Sequence, residues 1–100
     1  MGNNQGDIAA RGGMEPLVAL LDSELEDVLV NAVNAIRVLC EGNKDNQTAA
    51  VRYGAIDPLV EFLTVSNSDI LQSASAAAIA SLTANHTDNQ NDVVAEGAVE

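Results

Sequence analysis

The sequence predicts an all-α fold, a solenoid built from three-helix repeats. Three observations predict it. The chain resembles itself at a period of 42–43 residues, a length typical of helical arrays. Its apolar residues recur at helical spacing. Its core must be aliphatic, because 47% of the 100 residues are hydrophobic while Tyr53 and Phe62 are the only aromatics. Leu, Val, Ile and Ala suit helices that approach closely with small residues between them.

The repeat is carried by particular residues. Asn4-Gln5 recurs as Asn46-Gln47 and as Asn89-Gln90, 42 and then 43 residues on. Gly12-Gly13-Met14-Glu15-Pro16-Leu17-Val18 matches Gly54-Ala55-Ile56-Asp57-Pro58-Leu59-Val60, and Gly97-Ala98-Val99-Glu100 begins a third copy. Leu21 aligns with Leu63, Ile36 with Ile79 and Leu39 with Leu82, so one extra residue falls in the loop from Thr64 to Asp69. A loop absorbs an insertion at small entropic cost. The predicted units are a first repeat over 1–43, a second over 44–86, and the first helix of a truncated third over 87–100.

Within each unit three helices follow in order. The first spans about Asn46 to Tyr53, and Gly54 takes the position just past its end, where a left-handed backbone is easy. The second spans about Pro58 to Leu63, with Asp57 as N-cap and Pro58 at the first helical position, where its missing N–H is no loss. The third follows the Thr64–Asp69 loop and runs to about Thr83. Its counterpart in the first unit begins at Ser23, with Glu26 three residues on, a capping-box pattern. Val28, Ala32, Ala35, Ile36 and Leu39 form one apolar stripe there, and Val33 and Val38 broaden it, which predicts burial on more than one side. Alternation over Val28 to Val33 would suit a strand, but it does not persist, whereas helical spacing continues through Cys40.

These segments resemble the armadillo-repeat family. The turn and second helix read Gly54-Ala55-Ile56-Asp57-Pro58-Leu59-Val60-Glu61-Phe62-Leu63, and the third helices run from Val28 to Cys40 and from Leu71 to Thr83. The resemblance implies a right-handed superhelical solenoid of three-helix armadillo repeats. The nearest alternative is a HEAT-type array of two-helix units, but the Gly54 turn followed by Asp57-Pro58 favours a separate first helix. In nuclear-import adaptors of the family, a Trp and an Asn on the third helix grip a peptide. Here the Trp position holds Asn34 and Ala77, and the Asn position holds Val38 and Ser81, so both ladder rows are missing and import-peptide recognition does not carry over.

What the resemblance does imply is a protein–protein interaction scaffold, with a peptide or protein partner lying on the concave face made by stacked third helices. The outward residues of those helices are the candidate contacts: Asn31, Asn34, Arg37 and Val38, with Ser73, Ala74, Ala77 and Ser81. Asn34 has the strongest chemistry, since its amide both donates to and accepts from an extended peptide backbone. Arg37, one of four bases on an acidic chain, is expected to pair locally. The alternative is an architectural segment of a large cytoskeletal or ciliary assembly, in which both faces and both ends are contacts.

Charge narrows the partners. Fifteen acids against four bases give a net charge of −11. Nucleic-acid binding relies on basic groups that displace counterions, and anionic membranes attract basic segments, so neither is expected here and a basic protein partner fits better. The run Asp22, Glu24, Glu26, Asp27 falls at the start of a third helix, where it complements the helix dipole. With Cys40 alone no internal disulfide can form, which points to an intracellular, cytoplasmic protein. The opening residues carry no signal-peptide pattern, and no apolar run is long enough for a membrane span.

Catalysis is not expected, and neither is a cofactor or a metal. His86, with Asp88 near it in a predicted loop, is a weak base or metal candidate, and no second His or Cys stands at ligand spacing. Cys40, near the end of a third helix, reads as a buried filler. The sequons at Asn46 and Asn85 read as chance in a chain rich in Asn. Neither end carries a polar capping face, so the sequence reads as a fragment of a longer array, with self-association through uncapped repeat ends as its expected behaviour in isolation.

Overall fold

The structure is a computed structural model and describes residues 13–96. The Asn4-Gln5 copy, Arg11, Gly12 and residues 97–100 lie outside the described residues. Among the described residues six α-helices follow one another: α1 Met14–Ala19, continued by a 3-10 turn over Leu20–Asp22, α2 Glu26–Cys40, α3 Lys44–Arg52, α4 Ile56–Val65, α5 Asp69–Thr83 and α6 Thr87–Ala95. Among the described residues there is no strand. The fold is an all-α armadillo-type solenoid: α3, α4 and α5 form one three-helix unit, α1 and α2 repeat α4 and α5, and α6 repeats α3.

The turn chemistry keeps the period. Tyr53 closes α3, and Gly54 follows with φ +93°, the left-handed value expected there. At the ends of α2 and α5, Gly42 (φ +63°) and Asn85 (φ +57°) occupy equivalent places. Asn is among the few residues other than glycine that tolerate this region.

Two predicted helix starts are corrected. α4 begins at Ile56 with Ala55 as its N-cap, so Asp57 is not the cap and lies inside the first turn with Pro58. The reason is the tightness of the corner: the Ala55 N–H already donates to the Ala50 carbonyl of α3 at 3.0 Å, and the Leu59 N–H donates to the Ala55 carbonyl. Asp57 still complements the helix dipole from there. α2 begins at Glu26 with Leu25 as its N-cap. Ser23 accepts the Leu25 N–H at 3.0 Å, two residues on, and makes no capping box. In α5 the equivalent of Leu25 is Ser68, which does cap, accepting the Leu71 N–H at 3.1 Å. The Ser68 hydroxyl donates in turn to the Glu26 carboxylate, so that Glu26 bridges to the next repeat.

The core lies between successive repeats. The most extensive contact is α2 against α5, followed by α4 against α5. Ala32, Val33, Ile36 and Cys40 are buried on α2, opposite Leu71, Ala78 and Leu82 of α5, with Met14, Val18 and Leu59 closing the layer. Val33 widens the buried stripe as expected, whereas Val38 is 42% exposed. The core is aliphatic: Phe62 only flanks it and Tyr53 is exposed.

Candidate partner-binding surface

Stacking is held by polar side chains as well as apolar ones. The two Asn-Gln pairs within the described residues, Asn46-Gln47 and Asn89-Gln90, sit at the seams between repeats. Asn46 and Asn89, each buried, donate from their amides to the last carbonyls of the preceding third helix, at Leu39 (2.6 Å) and Leu82 (2.8 Å). Those carbonyls lack helical partners, and a buried carbonyl left unpaired is costly. Asn89 also reaches the Gln47 carbonyl at 3.0 Å, while the Gln47 amide donates to Ser81 (2.7 Å) and Ala84 (3.1 Å) at the end of α5.

His86 belongs to the same network. It is buried and caps α6: Nδ1 accepts the Asn89 N–H at 3.3 Å, and Nε2 lies 2.8 Å from the Thr48 hydroxyl on α3. With Nδ1 accepting, the proton of the neutral ring belongs on Nε2. Both nitrogens have structural partners, so the loop-histidine candidate is a cap at a repeat junction. The sequence signal was available: His86 stands 43 residues after Asn43, which caps α3 by accepting the Asn46 N–H at 3.0 Å. Cys40 is buried, and burial pushes its thiol up to about 12, which keeps it from the thiolate form that nucleophilic chemistry uses. Of the sequon asparagines, Asn46 is fully buried and Asn85 is exposed.

The candidate contacts lie on α2 and α5. Asn31 and Val38 are exposed and Asn34 is half-buried; on α5 Ser73 and Ala77 are exposed and Ser81 is half-buried. The side-chain amides of Asn31 and Asn34 have no hydrogen-bond partner among the described residues. Arg37 is paired locally, its guanidinium 2.9 Å from Glu41 one turn on. Ala74 is half-buried against the core. Because α2 and α5 lie side by side, the row Asn31, Asn34, Val38 and its 43-residue equivalents Ala74, Ala77, Ser81 occupy neighbouring helices. A cleft of about 500 Å³ opens elsewhere, between α1 and α4, with Glu15, Asp22, Asp57 and Glu61 in its lining. Nearly every side chain lining it is solvated, and no buried polar group is directed into it.

The armadillo/beta-catenin-like repeat family matches residues 8–41 and 43–84. The chain belongs to the armadillo-repeat family. Armadillo repeats are generally protein-interaction scaffolds and typically have no catalytic role. One similar protein is a human ankyrin and armadillo repeat-containing protein, 50% identical over 46 residues, which are 46% of this chain and 3% of that protein. The chain thus spans a small part of that relative. No solved structure matches it. Among the described residues, no three His, Cys, Asp or Glu side chains converge to hold a metal, and no helix is long and apolar enough to cross a membrane.

Proposed function

We propose that this armadillo segment binds an extended polypeptide along the outer row of its third helices, the concave wall of the solenoid. The observation that carries the reading is the pair of amides at Asn31 and Asn34, which lie on the open side of α2 and have no partner among the described residues. An amide offers a donor and an acceptor from one planar group, which matches the N–H and C=O of a peptide backbone. On α5 the row turns small, with Ala77 and Ser81, so a ligand lies closer to the helix there. Val38 adds an apolar contact between the two.

The reading is tested by affinity capture of a partner, its identification, and titration against Asn34→Arg and Ser81→Arg. Each places a long charged side chain in the row. Loss of binding with helical circular dichroism intact is the expected result. Undiminished affinity in both variants contradicts a third-helix site.

A further inference from the structure

We propose that the seam between the two repeats, at the end where α2 and α5 begin, docks a basic segment of the partner that presents aliphatic side chains. The inference rests on the reading above that the partner is a polypeptide, and names the chemistry of one part of it.

Two clefts lie in this seam. One, about 280 Å³, is lined by Glu26, Asp27, Val30 and Asn31 of α2 and Ile70 of α5. The other, about 270 Å³, is lined by Leu29 of α2 with Phe62, Val65 and Leu71 among others, and by Glu61. Each is lined from both repeats, so a further repeat at either end leaves them in place. Two of their apolar residues are unusually open: Val65 is 69% exposed and Ile70 66%. Val65 is the last residue of α4, beside the loop of the second repeat, and Ile70 replaces the Asp27 of the first. The sequence spends two aliphatic side chains on a surface where the repeat pattern does not require them.

Charge selects the occupant. The two clefts hold three carboxylates and no basic side chain, and the exposed Asp69 stands beside Ile70. The N-termini of α2 and α5 contribute about half a positive charge each, which leaves the surface negative. A second copy of this chain, at −11, would bring like charge to the seam. A segment with lysines or arginines flanking leucine-like residues satisfies both the apolar openings and their acidic rim.

The test uses the 100-residue chain and a short synthetic peptide with leucines at helical spacing and lysines between them, followed by fluorescence anisotropy. Control peptides replace lysine by glutamate or leucine by serine. Binding should weaken about tenfold, 1.4 kcal/mol, in Ile70→Ser and in Val65→Ser, and by a smaller, salt-dependent factor in Asp27→Asn. Neither control peptide should match the parent. The inference is overturned if no binding is detected, if the serine peptide binds equally, or if the Ile70 and Val65 variants bind like the parent. It is also overturned if Ile70→Ser abolishes self-association seen by sedimentation, since the occupant is then a second copy. If the captured partner remains sensitive to Asn34→Arg after any of these outcomes, the third-helix reading stands without the seam.

Discussion

Ser75 is fully buried in α5, and its hydroxyl has no hydrogen-bond partner. The first repeat holds Ala32 at the equivalent place, buried in the same layer. A buried hydroxyl without a partner costs about 1–3 kcal/mol, and Ala is also the better helix former. Ser75→Ala should therefore stabilise the chain by about 1 kcal/mol, read as a melting temperature about 4–8 °C higher. Gly54 tests the opposite sign. Its φ of +93° suits glycine, and no atom lies within 4 Å of where a Cβ would stand, so the cost of Gly54→Ala is conformational and not steric. A loss of about 1–2 kcal/mol in chemical denaturation is expected. Glu96 provides a pH test. Its carboxyl is held above the ordinary 4.5 by a hydrogen bond with Asp57, by repulsion from the Asp57 charge, by slight desolvation and by Asp92. The folded chain therefore takes up that proton before the unfolded chain does, and stability from this group falls as pH rises through the raised value. Glu96→Gln should melt higher than the parent at pH 7, and the difference should shrink below pH 4.5.

At the scale of the helix, the junctions between repeats depend on caps that the period disguises. Asn43 and His86 perform the same task with different chemistry, each accepting the N–H three residues on. Replacing His86 by Ala should cost about 1 kcal/mol of stability, typical of a lost N-cap, with more lost if the Thr48 contact matters. Replacing it by Asn, as the preceding repeat has, should recover most of the capping share, and urea melts of the two variants would show the split. The helices themselves were legible from apolar spacing and from Gly54, because backbone period and left-handed turns leave marks in single residues. Helix starts were less legible. Asp57-Pro58 looks like a start, but the corner from α3 places the first turn earlier, and Ser23 with Glu26 looks like a capping box although Glu26 is recruited by Ser68, 42 residues away. A contact made across a repeat boundary has no local pattern to announce it. The candidate row was legible as a set of positions on two aligned helices. The openness of Val65 and Ile70 was not, because exposure depends on how α2 and α5 pack.

The described residues measure 42 × 30 × 17 Å, the shape of a slab in which each unit contacts its sequence neighbour. In such an array stability is roughly a sum of repeat terms and seam terms, so the seam substitutions should propagate to both units. The Asn46 bond to Leu39 and the Ser68 bond to Glu26 tie the second repeat to the first, and the Asn89 bonds tie α6 to the second, so the seams have a fixed register. On the proposed reading function follows from stacking, since the row of contacts runs across both repeats. The most direct measurement is a nitrogen-15 amide shift map of the chain titrated with its purified partner. The account predicts perturbations centred on Asn31, Asn34, Val38, Ala77 and Ser81. Perturbations concentrated on α1 and α4, with α2 and α5 silent, would contradict it.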